Sequence, residues 1–131
     1  MKQKVHSVSY LAKAEFDLKN GVYDLVALPT GAEVVKVSLE VIDIPVEGHI
    51  YIGFKDEPVK GYFLALDNVI QNPKAPEAPI EHVVNTITST KDYTATSNKV
   101  VVAEVKLAKD LKERCVLRVV YFLPSVIEVE Y

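Results

Sequence analysis

The chain has no tryptophan, one methionine, one cysteine and five glycines, and each scarcity removes a class of function. One cysteine cannot build a disulfide framework within the chain. Cys115 enters an apolar run, Arg114-Cys115-Val116-Leu117, where a half-buried thiol that contributes to packing is a simpler reading than a nucleophile. The glycines are too few and too scattered for a phosphate-cradling loop, and no Gly-x-Ser-x-Gly elbow occurs. His6, His49 and His82 fall on three different predicted elements without the short-spaced ligand pairs of a metal site, so His49 and His82 read as surface or strand-end residues. Asp56-Glu57 is the only adjacent acidic pair. It sits in a proline-containing turn, where solvation accounts for it better than two carboxylates flanking a glycosidic bond. The reading is therefore of a non-enzymatic protein with no cofactor and no metal.

Long apolar runs and charge of one sign are missing too. The longest apolar stretch, Val116 to Leu123, is broken by Arg118 and is far shorter than the ~20 residues of a membrane helix, which predicts no membrane partner. Met1-Lys2-Gln3-Lys4-Val5-His6-Ser7-Val8 has basic residues but no continuous apolar segment of a secretory signal, which predicts synthesis in a reducing cytosol. The net charge is −3 and the 15 Lys and Arg are dispersed, so no electrostatic footprint for nucleic acid is present.

What the sequence has in quantity is branched aliphatic residues. Val and Ile number 30 against 11 Leu, a bias that suits pleated, half-buried surfaces. The 131 residues predict one domain, 1–131, large enough to hold a core without disulfides. Leu28-Pro29-Thr30-Gly31-Ala32-Glu33 is a turn, with Pro29 fixing its own φ and Gly31 tolerating φ > 0. It delivers the chain into an alternation that predicts Val35, Val37, Leu39 and Val41 inward and Lys36, Ser38 and Glu40 outward.

Other strands follow by the same rule. Val5 to Leu11 reads as the first, with Glu15 to Leu18 as a candidate continuation; Asn20-Gly21 is a hairpin-type turn ahead of Val22 to Leu28. His49 to Phe54 places Ile50, Ile52 and Phe54 inward and His49 and Tyr51 outward. Gly61 to Leu66 is a strand or an extended loop, and His82 to Ser89 alternates. Lys99 to Leu107 places Val101, Ala103, Val105 and Leu107 on one face, and the charged Ala108 to Arg114 reverses the chain with at most one helical turn. Cys115 to Leu123 is apolar on both faces except at Arg118, as a central strand would be. Asn72 to Pro79 holds three prolines, Pro73, Pro76 and Pro79, in eight residues. It is a stiff, exposed connection, either a plain end loop or a recognition segment. Ser125 to Tyr131 is a tail whose Ile127, Val129 and Tyr131 alternate with Glu128 and Glu130 and need a partner edge, within the domain or on a neighbour. The sum is an all-β, single-domain β-sandwich of about eight antiparallel strands, of jelly-roll type.

Aromatic residues are grouped at Tyr51, Phe54, Tyr62 and Phe63, a set that suits a core and subunit interface or, in a carbohydrate-binding module using Tyr51 and Tyr62, a sugar platform.

Phe16-Asp17-Leu18, the Leu28 to Val41 turn and strand, and a small-residue hairpin into Ile50-Tyr51-Ile52-Gly53-Phe54 resemble small structural proteins of tailed bacteriophages. Tyr93 to Asn98, Val100 to Leu107 and Val116 to Tyr121 look like the closing hairpin of the same family. The resemblance implies a jelly-roll capsid decoration (cement) protein, a homotrimer seated on a shell of major capsid protein. It would lie at the capsid surface of the virion after synthesis in the host cytoplasm. On this reading the partner contacts lie on the proline loop and the two chain ends; with the aromatic grouping, the candidate contacts are Pro73, Pro76 and Pro79, Tyr51 and Tyr62, and Ile127, Val129 and Tyr131. The proline-rich insertion and the strand-like tail depart from the family pattern and leave head-fibre and tail components open.

Overall fold

The structure, a computed structural model, describes residues 2–6, 8–42, 48–56, 61–67, 84–107, 110, 114–123 and 126–130. Among these, eleven strands run in the order β1 (Lys2–His6), β2 (Ser9–Asp17), β3 (Gly21–Leu28), β4 (Glu33–Ile42), β5 (Gly48–Phe54), β6 (Leu64–Asp67), β7 (Val84–Ser89), β8 (Tyr93–Thr94), β9 (Lys99–Leu107), β10 (Arg114–Phe122) and β11 (Val126–Glu130). The predicted first strand is therefore two: β1 and β2, the second running on through Glu15 to Asp17. Asn72 to Pro79 and most of Ala108 to Glu113 lie outside the described residues.

Two antiparallel sheets make a sandwich. One has the order β2-β10-β4-β7, with β8 also on β4; the other has the order β3-β9-β5-β6. With the two-residue β8 set aside, eight principal strands remain in the two sheets, and they pair as nested couples: β2 with β10, β3 with β9, β4 with β7 and β5 with β6. A long two-stranded ladder wrapped around a core gives this order, which is the jelly-roll arrangement. As its sequence implies, β10 lies between β2 and β4.

Three turns predicted as hairpin closures instead cross between sheets. Asn20-Gly21 joins β2 to β3, the segment after Val41 joins β4 to β5, and the segment after Leu107 joins β9 to β10; each connects strands of different sheets. The reason is that turn residues encode a reversal but not the sheet in which the next strand pairs. Pro29 to Ala32 makes the same kind of crossing. There Gly31 takes φ 91°, as predicted for that position, Gly31 N donates to Ala95 O at 2.6 Å, and Ala95 N donates to Ala32 O at 2.8 Å. Asn98 Oδ1 accepts from Thr30 N at 3.0 Å and from Thr30 Oγ1 at 3.1 Å.

The core lies between the sheets. Phe16, Val37, Leu39, Val41, Leu117 and Val119 from one sheet meet Val26, Leu28, Ile50, Ile52, Phe54, Val101, Ala103 and Val105 from the other in a single cluster. Each of these side chains larger than alanine contributes about 1.5–3 kcal/mol on removal from water. Ile50, Ile52 and Phe54 point inward as predicted, as do Val101, Ala103, Val105 and Leu107. Cys115 is fully buried rather than half-buried.

In β4 the phase differs from the sequence expectation. Val34 and Val37 are fully buried, whereas Val35 is 40% exposed. Tyr121 sits opposite Val34 and Val120 opposite Lys36, leaving Val35 as the extra residue of a β-bulge. A bulge adds one residue to one strand and reverses its alternation beyond that point. The face predicted as Val35, Val37, Leu39, Val41 is therefore Val34, Val37, Leu39, Val41. A second irregularity between Asp24 and Val26 does the same in β3, where Tyr23 is half-buried before it and Val26 and Leu28 are buried after it.

Candidate assembly surfaces

The predicted contact residues do not converge. Tyr51 is half-buried on the outer face of the β3-β9-β5-β6 sheet, opposite Glu104 and Ala65. Tyr62 lies just ahead of β6 and packs against the core. Its ring centroid is 5.4 Å from that of Phe54, 5.0 Å from Phe63 and 5.5 Å from Tyr93. Tyr62 Oη donates to Asp92 O at 3.3 Å, and Lys91 Nζ lies 3.9 Å from the ring centre. Phe54, Phe63, Tyr62 and Tyr93 thus form an aromatic knot, and Tyr51 is not part of it. This separates the two tyrosines on which a sugar platform would depend. Ile127 and Val129 belong to β11, opposite Val5 and Gln3. Pro73, Pro76, Pro79 and Tyr131 lie outside the described residues.

The surroundings of Tyr51 make an ordered patch. Alternation along β5 puts His49 beside Tyr51 on the same face, and the two rings stack with centroids 4.1 Å apart and an interplanar angle of 9°. His49 Nε2 is 3.2 Å from Glu104 Oε2, and both side chains are 21% exposed. Stacking and the Glu104 contact hold the imidazole in one orientation. The result is a flat amphipathic surface with a polar edge, the kind of ground that suits a protein interface.

A groove that the sequence did not announce runs along the open side of the sandwich, between the outer edges of β2 and β3. About 710 Å³ in volume, it is lined by Glu15, Phe16, Asp17, Val22, Tyr23, Asp24, Leu25, Lys55 and Arg114. Its floor is aromatic, with Phe16 and Tyr23 centroids 5.7 Å apart. Its rims are ion pairs: Arg114 Nη1 with Glu15 Oε2 at 2.9 Å, Arg114 Nε with Asp17 Oδ1 at 3.1 Å, and Lys55 Nζ with Asp24 Oδ2 at 2.8 Å. Burial, then the negative charges of Asp110 and Asp17, raises the Tyr23 phenol above the usual tyrosine value. The hydrogen bond from Lys55 to Asp24, and then the Asp24 charge, raises the Lys55 ammonium in turn. These exposed pairs are worth little singly; they define the rim chemistry more than they hold the fold. The groove was not legible because it needs β2 and β3, consecutive in the chain, to stand on different sheets. Among the described residues no group of three or more His, Cys, Asp or Glu is placed to hold a metal ion.

The two chain ends form a third surface. β1 and β11 pair antiparallel with each other as a separate two-stranded sheet, so the partner edge of the tail is the N-terminal strand of its own chain. The ribbon continues the β2–β10 ladder with a one-residue offset. From the pair Ser9–Phe122 to the pair His6–Val126, one strand advances from 9 to 6 and the other from 122 to 126.

No family model matches the sequence, and no curated protein does. Among solved structures, the chain is similar over its whole length to a chain in the acid-stable capsid of Helicobacter pylori bacteriophage KHP30. Identity is 62%, all of both chains is covered and the TM-score is 0.82. It is also similar in fold to a chain of the capsid asymmetric unit of cyanophage Pam1, with 18% identity, 88% of this chain and 85% of that chain covered, and a TM-score of 0.63. A chain of the capsid of Ralstonia phage GP4 matches at 15% identity over 91% and 86%, with a TM-score of 0.58. The last two show the shared sandwich alone.

Proposed function

The chain belongs to a family of bacteriophage capsid proteins, and on that premise we propose that it is a decoration (cement) protein, a homotrimer that binds the outside of an assembled shell of major capsid protein and stabilises it. The observation that carries this reading is the 62% identity over the full length of a chain from the KHP30 capsid. The topology supports it. A jelly roll closes on itself, and its outer faces and side groove are free to contact neighbours without taking part in a continuous shell. A protein that binds only the assembled state stabilises that state by mass action, in proportion to RT ln(1 + [L]/Kd). The capsid that contains the relative is acid-stable, and the proposed role for this chain is to stabilise its own shell, at acid as well as neutral pH.

The test is to add purified protein to shells assembled without it. Saturable occupancy of symmetric surface positions, seen by single-particle imaging, together with a raised shell melting temperature at neutral and acid pH, is the expected result. Correctly assembled shells that remain bare at micromolar protein would overturn the reading.

A further inference from the structure

We propose that the outer face of β2, β10 and β4, around Leu11, Val120 and Val35, is the surface through which the protein seats on its shell, and that its partner there is an acidic segment of the major capsid protein with an apolar side chain at its centre. The proposal rests on the decoration reading above and adds to it the contact face and the chemistry of the partner.

Alternation puts Leu11 and Lys13 outward in β2, where Ala12 and Ala14 are half-buried and Phe16 is buried. It puts Arg118 and Val120 outward in β10, where Leu117 and Val119 are fully buried. In β4 the bulge turns two consecutive side chains outward, Val35 and Lys36, between the buried Val34 and Val37. Re-aiming a side chain is a common use of a bulge. Leu11 and Lys36 both lie opposite Val120. Leu11, 60% exposed, and Val35, 40% exposed, therefore flank Val120 in an apolar stripe across three strands. One exposed Val or Leu needs no explanation, whereas an apolar stripe with a charged border marks an interaction surface.

The border is basic. Lys13 lies directly opposite Arg118, and Lys36 follows Val35. Acids of the same face are already engaged: Glu40 Oε1 is 3.6 Å from Arg118 Nη1, Glu15 Oε2 is 2.9 Å from Arg114 Nη1, and Glu33 Oε1 accepts from Thr94 Oγ1 at 2.7 Å. Among the described residues no carboxylate pairs with Lys13 or Lys36. On a chain of net charge −3 this is a local excess of positive charge. Like charges directly opposite across a ladder are destabilising, so the free protein carries a cost at Lys13 and Arg118 that a partner's carboxylate removes.

Charge complementarity selects the occupant. A second copy presenting the same patch about a two-fold axis would set Lys13, Lys36 and Arg118 against themselves. A phosphate backbone would satisfy the cations and leave the apolar stripe uncovered. A protein segment with carboxylates around an apolar residue answers both, with a dry centre and a charged rim.

The test uses full-length protein and shells assembled without it. Lys13→Glu with Lys36→Glu, and separately Leu11→Ser with Val35→Ser, should each weaken shell binding about tenfold or more. The two variants differ in their response to salt. Raising it from about 0.05 to 0.5 M should weaken binding by the native protein and the serine variant alike and leave the charge-reversed variant nearly unmoved. Val22→Ser, also at a position 60% exposed but on the other sheet, and Lys106→Glu, exposed on that sheet, should bind as the native protein does. All these positions are exposed, so folding, read by circular dichroism, should be unchanged. Zero-length carbodiimide coupling on decorated shells should join Lys13 or Lys36 to an Asp or Glu of the shell protein. Native-like binding by either patch variant, or coupling of these lysines only to other copies of this chain, would overturn the proposal and leave the decoration reading standing. Native protein that leaves shells bare defeats that reading, and the proposal with it.

Discussion

Asn20 holds more of the fold than an exposed turn residue usually does. Its Oδ1 accepts from Leu107 N at 2.7 Å, and its backbone N and Nδ2 both donate to Asp110 Oδ1 at 2.9 Å. One side chain thus links the β2–β3 corner to the end of β9 and to Asp110 beyond it. Asn20→Ala should cost about 1–2 kcal/mol in urea denaturation, since the half-buried Leu107 N–H loses its acceptor. The same bonds, backbone first, hold the Asp110 carboxyl below the usual carboxylate range. A carboxylate with a lowered folded pKa adds stability above its unfolded pKa and loses it as pH falls through the folded value. Asp110→Asn should therefore destabilise slightly at pH 7 and be neutral below the lowered pKa. A cost that is the same at both pH values would mean that the bond matters without the charge.

At the scale of the strand, β4 shows where sequence reading succeeds and where it stops. Alternation located the strand and three of its inward residues, Val37, Leu39 and Val41, but it placed Val35 inward. The bulge depends on how β10, some eighty residues later in the chain, seats against Val34 and Lys36, and nothing local to β4 specifies it. The expected result is that Val35→Thr changes stability by less than about 0.5 kcal/mol. Val37→Thr, at a fully buried position, should cost about 1–3 kcal/mol by burying an unpaired hydroxyl. Paired urea melts check this, and similar costs at the two sites would refute the bulge assignment. The same limit explains the other differences. The inward faces of β5 and β9 were legible because each strand is regular from end to end. The crossings after Asn20, Val41 and Leu107 were not, because a hairpin turn and an inter-sheet turn use the same residues. The partner of the tail was not legible either, because it is set by where the N-terminus lies in space. Of the candidate site, Tyr51 could be placed on an outer face, but the groove between β2 and β3 needed the topology.

At the scale of the whole molecule, the distribution of ionisable groups predicts how the sandwich meets acid. Acid unfolding is driven chiefly by carboxylates that are ionised and held in the folded state and by histidines buried neutral. Among the described residues the buried set contains one polar residue, Ser38, and no carboxylate or histidine. The ion pairs of Arg114, Lys55 and Arg118 with their carboxylates are partly or well exposed, so protonating the acids breaks weak contacts and leaves the core intact. What acid adds is repulsion. With carboxylates neutral and the 15 Lys and Arg and 3 His charged, the chain goes from a net −3 to about +18 from these groups, a diffuse self-repulsion that salt screens. The thermal midpoint should therefore decline gradually from pH 7 to pH 3, by about 10 °C or less, and recover in part when salt is raised from 0.05 to 0.5 M. At ~4 °C per kcal/mol, where the ranges for smaller and larger domains meet, that is a loss of about 2.5 kcal/mol or less. A cooperative unfolding transition at 25 °C between pH 5 and pH 3, insensitive to salt, would instead point to a held carboxylate within the core and would contradict this picture of an apolar sandwich with its charge confined to the surface.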